Sequence, residues 1–102
     1  MKYKLFKKFV EHILLLTEVS KEELLLGGGK NSSKGIVAAR HLLFYLCSQR
    51  GMRPTEIQQY MKREGYTLAH TTVTRGVNHM EEVIANDPDI SIIANRLKAI
   101  EL

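Results

Sequence analysis

Apolar residues in this chain recur at spacings of three and four along successive segments, the pattern of helices that bury one face. The first segment, residues 3–17, carries the stripe Phe6, Phe9, Val10, Ile13 and Leu14. No segment alternates polar and apolar residues in the way that a half-buried strand does. The sequence therefore predicts an all-α fold.

Capping signals divide the first half of the chain into helices. Ser20–Glu23 has the spacing of a capping box, which predicts a short second helix from about Lys21 to Leu26, ended by Gly27. After a glycine-rich stretch, residues 34–50 are apolar nearly all round. A helix of that kind is expected at the centre of the fold, with neighbours on several sides.

Three further helices are predicted in the second half, which makes about six in all. A proline suits the first turn of a fourth helix over residues 54–63, and a break containing Gly65 separates it from a fifth helix over residues 69–86. Asp87 and Pro88 cap and open a sixth. The predicted core positions are Ile57, Tyr60 and Met61, then Val73, Val77, Met80 and Ile84, and finally Ile93, Leu97 and Ile100.

Length and composition indicate one domain over residues 1–102. With 102 residues and 44% hydrophobic content, the chain is long enough for a single core. Its one cysteine, Cys47, excludes an internal disulfide and is expected to be buried, because it lies in an apolar run. No apolar stretch is long enough to span a membrane. We expect a cytoplasmic protein with no membrane partner.

Positive charge is concentrated in the middle of the chain. Residues 30–80 carry eight basic side chains and two acidic ones, whereas residues 81–102 carry two basic and five acidic ones. A concentrated positive field attracts polyanions such as nucleic acids.

The fourth and fifth predicted helices have the arrangement of a helix-turn-helix. The outer side of the fifth helix begins with small polar side chains, including Thr71, Thr74 and Asn78. Such side chains fit a major groove about 12 Å wide and can hydrogen-bond to base edges. Two simpler interpretations stay open at this point: the threonines could only cap and solvate the helix, and His70 could be a core histidine.

The same residues resemble a known family. The chain is similar to the DNA-binding C-terminal domain of the bacterial replication initiator DnaA, which has a Trp-repressor-like helix-turn-helix. The similarity lies, in order along the chain, in Val19–Leu25, Ile36–Leu46, Thr55–Ile57, His70–Val73 with Arg75, Val77 and Met80, and Asp87–Ile90.

The resemblance implies a set of DNA contacts. It places Arg40 in the minor groove, His70 and Thr71 against bases in the major groove, and Thr72 on a phosphate or base. Together with the residues that the charge and the helix pattern select, the remaining predicted DNA-binding residues are Lys30, Lys34, Lys62, Arg63, Thr74, Arg75 and Asn78.

The chain also departs from the family. Ala69 stands where the family has an aspartate, and the family's strongly basic loop is reduced to Lys30 and Lys34. We therefore expect double-stranded DNA binding, but not at the family's usual site. No phosphate-binding loop or ATPase module is present, so no nucleotide is expected. The prediction is a stand-alone, nucleoid-associated relative that acts in replication initiation or its regulation.

Other classes of function fit the sequence less well. The four histidines and Cys47 show no metal-ligand spacing, and the adjacent Glu81 and Glu82 diverge on a helix, so we expect no metal, no cofactor and no catalysis. The alternative is a helical adaptor that kept the fold, lost specific DNA binding and binds a replication or regulatory protein. A steep dependence of DNA affinity on salt would distinguish the two.

Overall fold

The computed structural model describes residues 2–26 and 34–101, and within these ranges it contains six α-helices and no strand. The helices are α1 (Lys2–Leu16), α2 (Lys21–Leu26), α3 (Lys34–Gln49), α4 (Pro54–Arg63), α5 (His70–Asn86) and α6 (Pro88–Lys98). This confirms the all-α prediction, with helix bounds within a residue or two of those expected. The predicted stop at Gly27 lies outside the described residues.

Two predicted helix starts form through local side-chain contacts. The Glu23 amide donates to Ser20 Oγ (3.1 Å), and the Ser20 amide donates to Glu23 Oε1 (3.0 Å), which completes the capping box of α2. At α6, Asp87 Oδ1 accepts from the amides of Asp89 (3.0 Å) and Ile90 (3.3 Å). Each side chain satisfies amides that have no partner inside the helix.

Helix α3 is the centre of the fold, as its apolar character predicts. It packs against each of the other five helices, most extensively against α5. Leu43, Phe44, Leu46 and Cys47 are completely buried on it. Burial raises the pKa of the Cys47 thiol far above its ordinary value, which keeps the sulfur neutral and chemically inert.

A glycine permits the close approach of α3 and α5. A Cβ on Gly76 would lie 2.8 Å from His41 Cδ2 and 2.8 Å from Phe44 Cδ2. Gly76 is buried in α5 although glycine disfavours helices by about 1 kcal/mol relative to alanine. The apolar stripe on either side of this residue is apparent from the sequence, but the contact itself is not.

The buried face of α6 differs from the expected one. Ala94 is 1% exposed and Leu97 4% exposed, whereas Ile93, a predicted core residue, is 39% exposed. The prediction that Ile93 is buried is therefore wrong. Hydrophobicity alone favours the burial of isoleucine over alanine, but the close packing of this short helix favours the smaller side chain. Ile100 lies beyond the end of α6 and is half-buried against the core.

No helix in the described part of the chain is both long enough and apolar enough to cross a membrane.

Candidate nucleic-acid interface

Helices α4 and α5 are joined by a tight, hydrogen-bonded turn. Gly65 adopts a φ of +97°, which non-glycine residues rarely adopt, and the Tyr66 amide donates to the Met61 carbonyl (2.9 Å). Farther along, Gln58 Nε2 donates to the Leu68 carbonyl (2.8 Å) and ties the end of the turn back to α4. The start of α5 is therefore held in a fixed position beside α4.

The apolar undersides of both helices fix their rotation. Ile57 and Met61 on α4, and Val73 and Val77 on α5, are buried in the common core. Removal of such side chains from water stabilises the fold by roughly 1.5–3 kcal/mol each. Since the buried face is set in this way, the opposite face of α5 must point to solvent.

That outer face carries the predicted recognition residues. His70, Thr71, Thr72, Thr74, Arg75 and Asn78 are all exposed. The interpretation of His70 as a core histidine therefore does not hold. No aspartate or glutamate occurs between Gly65 and Met80, so the first turns of α5 carry no negative side chain.

No side chain caps the first turn of α5. Its N-cap residue is Ala69, which cannot accept a hydrogen bond through its methyl group. The Thr74 hydroxyl instead donates back to the His70 carbonyl (3.3 Å), inside the helix. Amides at the start of a helix, together with the helix dipole, suit the binding of a phosphate oxygen.

Two exposed cations of α4 lie next to this turn. Lys62 lines a shallow depression with Gln58, Thr67 and Leu68, directly before the start of α5. The Arg63 guanidinium lies 4.8 Å from the centroid of the Tyr3 ring. Both cations remain exposed, so they can reach a polyanion at the edge of the helix-turn-helix.

Arg40 does not occupy the position that the resemblance implies. It is 9% exposed, and its Nε and Nη2 donate to the carbonyls of Leu24 and Glu23, both at 2.9 Å. These carbonyls belong to the last turn of α2, where backbone acceptors have no partner within the helix. The guanidinium also lies 5.0 Å from the Tyr66 ring centroid. The structure therefore gives Arg40 a capping role inside the protein, with two of its three guanidinium nitrogens bonded to backbone carbonyls.

Arg50 serves the end of α6 in a similar way. Its Nη1 donates to the carbonyls of Lys98 (2.9 Å) and Ile100 (2.6 Å). Two of the eight basic residues between positions 30 and 80 therefore donate to carbonyls at helix ends. Lys30 lies outside the described residues, and Lys34 is the first residue of α3, so the DNA contacts predicted for these two lysines stay predictions.

Two histidines that lie far apart in the sequence come together in space. A hydrogen bond joins Nδ1 of His41 on α3 to Nδ1 of His79 on α5, 3.1 Å apart, beside Gly76. A hydrogen bond of this kind requires one ring nitrogen to carry a proton and the other to be free of one. Within the described ranges no third histidine, cysteine or carboxylate joins them in a group able to hold a metal.

This pair predicts a loss of stability in acid. Burial, then the neighbouring His79 and Arg40, lower the pKa of His41 below its ordinary value of 6.5. Below pH 6.5 the unfolded chain therefore binds a proton that the folded chain resists, so the free energy of unfolding should fall as the pH drops towards the lowered pKa. Urea denaturation between pH 7.5 and 5 measures this.

The His41→Gln variant should lose that part of the acid sensitivity, because glutamine does not titrate. The same substitution at His12, which is not part of the pair, serves as the control. An unchanged pH dependence in His41→Gln would contradict the assignment.

An apolar groove lies where α1, α3, α5 and α6 meet. It encloses about 210 Å³, and its lining includes Leu16, Ala38, Leu42, Val83 and Ile93. Leu16 is 60% exposed at its edge. None of the predicted DNA-binding residues whose side chains the structure describes lines this groove.

No model of a known protein family matches this chain, and comparison with curated proteins and with solved structures finds no match either. The resemblance to the DnaA C-terminal domain therefore depends only on the residues quoted above.

Proposed function

We propose that this protein binds double-stranded DNA, with the first turns of α5 in the major groove. The observation that carries the proposal is the exposed polar start of α5, which has a buried apolar underside and Lys62 and Arg63 at its edge. A recognition helix requires this combination, because it must be rigidly held from below and must offer hydrogen-bonding groups of small size above.

The exposed residues divide into two roles. His70, Thr71 and Thr74 lie on the first turns of α5, where base edges come within reach, and we assign them to sequence reading. Lys62, Arg63 and Arg75 are longer cations beside them, and we assign them to phosphates. Phosphate contacts position the protein on the duplex, and base contacts select the sequence.

The resemblance to DnaA supports a role in replication initiation or its regulation at the bacterial nucleoid. Ala69 in place of the family's aspartate removes one acceptor that could read a base. The target is therefore expected to differ from the family's usual site. Selection of bound duplexes from a random pool would identify it.

Salt dependence tests the proposed function directly. Binding of a fluorescent duplex, followed by anisotropy, should weaken steeply between 50 and 200 mM salt, with a slope near −0.9 for each neutralised phosphate on a log–log plot. Weak, non-saturating association at physiological ionic strength would contradict the proposal.

Substitutions on α5 should reduce sequence discrimination. His70→Ala or Thr71→Ala is expected to narrow the gap between the selected site and random DNA, since each good base contact contributes about 1–3 kcal/mol. Arg75→Ala should instead weaken both kinds of DNA alike. Asn95→Ala, an exposed position on α6, is the control and should change neither. Unaltered discrimination in both His70→Ala and Thr71→Ala would show that α5 is not the recognition helix.

The apolar groove favours a second candidate function, a protein-interaction adaptor. Leu15 is 81% exposed, next to Leu16 at the groove's edge, and exposed apolar surface of this kind is common at protein interfaces. An adaptor would show only weak, non-saturating association with a duplex at physiological ionic strength, so the experiment above separates the two candidates.

A further inference from the structure

We infer that the bound duplex also contacts helix α1, through a continuous basic track formed by Lys62, Arg63, Lys7 and Lys4. This inference depends on the proposed DNA-binding function and extends it. It assigns a role to the N-terminal lysines, which the helix-turn-helix by itself does not use.

The track begins at the recognition helix. Lys62 borders the depression that contains Thr67 and Leu68, and these two residues lead into α5. Arg63 is the next residue along α4, and its guanidinium lies 4.8 Å from the Tyr3 ring centroid and 5.9 Å from that of Tyr60. The cations of α4 therefore connect the start of α5 to the first turn of α1.

The track continues along α1. Lys7 Nζ lies 5.3 Å from the same Tyr3 ring centroid, so Lys7 and Arg63 share one aromatic ring as a support. Lys4 is one helical turn before Lys7 and is also exposed. Tyr3 itself is held against Tyr60, with ring centroids 5.2 Å apart, so the contact between α1 and α4 is part of the packed structure.

In the described part of the chain none of these four cations forms an ion pair with a carboxylate, although Lys7 lines a small depression that Glu11 and Glu64 also line. Among the described residues, the ion pairs within 4.0 Å are Lys2–Glu56 (3.2 Å) and Lys21–Glu64 (3.7 Å), and neither involves a residue of the track. Glu64, the carboxylate nearest to Tyr3, accepts a hydrogen bond from the tyrosine hydroxyl (3.3 Å) and also faces Lys21. Helix α1 contains four lysines and a single acidic residue, Glu11.

The geometry favours a long, uniform polyanion over a small ligand. The protein measures 32 × 32 × 25 Å, close to one turn of duplex DNA at about 34 Å. A row of lysines and an arginine spread over two helices does not converge on one point, as a small anion would require. It can instead follow the phosphates of a backbone, which repeat along each strand.

The test compares two double variants with the same change of charge. Lys4→Gln/Lys7→Gln removes two cations from the track, whereas Arg96→Gln/Lys98→Gln removes two cations from α6. Both are measured against the unmodified protein by anisotropy over a range of salt, on a duplex of about two turns. Circular dichroism establishes that each variant is folded.

We expect the salt slope of Lys4→Gln/Lys7→Gln to fall by about 1.8, that is, two phosphates at 0.9 each. The Arg96→Gln/Lys98→Gln variant should keep the slope of the unmodified protein. Equal slopes in the two variants, with DNA binding intact in the parent, would overturn the inference and leave the proposed function standing. Absence of salt-dependent binding in the parent would overturn both.

Discussion

Replacement of Gly76 by leucine is expected to lower the free energy of unfolding by about 3 kcal/mol, at the upper end of the usual cost of overpacking. Even a Cβ would lie 2.8 Å from atoms of His41 and Phe44. The His41 ring is half-exposed and can turn away, but Phe44 is completely buried and has no free space to move into. A leucine would therefore force α3 and α5 apart. Urea denaturation at neutral pH measures the change.

The control is the same introduction of a leucine at Ala85, an exposed position on the same helix. Its free energy of unfolding should change by about 0.5 kcal/mol or less, as for most surface substitutions. If Gly76→Leu were as stable as Ala85→Leu, the close contact between α3 and α5 would be wrong. Because α3 supports the buried face of α5, the Gly76→Leu variant should also lose DNA affinity at urea concentrations near its unfolding midpoint.

Features that depend on neighbouring residues in the sequence could be predicted from it. The capping box at Ser20, the cap at Asp87 and the glycine turn at Gly65 act within a few residues, so their chemistry is visible in the printed chain. The periodicity of α5 placed its buried and exposed faces correctly for the same reason. The candidate interface depends on that periodicity, so the sequence could predict which residues of α5 are exposed there.

Features that depend on the contact between distant helices could not be predicted. The His41–His79 contact joins residues 38 positions apart, and no spacing in the sequence predicts it. In α6 the buried residue is Ala94 and not the expected Ile93, because that helix lies close to its neighbours. Hydrophobicity measures the gain from burial, but the space available at each position is a property of the assembled fold.

The number of basic residues in a segment does not show how many of them have free hydrogen-bond donors at the surface. The excess of basic residues between positions 30 and 80 includes Arg40 and Arg50, whose guanidinium groups face backbone carbonyls. Their charge still contributes to the field around the protein, but Nε and Nη2 of Arg40 and Nη1 of Arg50 already donate to backbone carbonyls. The exposed lysines of α1 lie outside that interval and supply cations next to α4 instead. The proposed DNA-binding surface therefore combines cations of α1 with cations of α4, which lie far apart in the sequence.

Substitution of Arg40 by methionine separates the structural role of this residue from the role that the family resemblance implies. Methionine can keep much of the apolar packing but cannot donate hydrogen bonds. The carbonyls of Glu23 and Leu24 would then lose donors that are 2.9 Å away, in the last turn of a helix, where carbonyls have no partner within the helix itself. Hydrogen bonds to a charged group contribute about 1.5–3 kcal/mol, so we expect a loss of about 3 kcal/mol in the free energy of unfolding.

DNA affinity provides the second measurement. At urea concentrations well below its unfolding midpoint, Arg40→Met should bind the selected duplex as tightly as the unmodified protein, because Arg40 is buried and donates to backbone carbonyls of α2. Arg63→Met is the matched comparison, because it removes the same group from the exposed side of α4. It should weaken DNA binding. Its free energy of unfolding should fall by about 1 kcal/mol or less, the contribution of the contacts of Arg63 with Tyr3 and Tyr60. The opposite pattern, with Arg40→Met fully stable and defective in DNA binding, would restore Arg40 to the minor groove and show that the last turn of α2 has another cap.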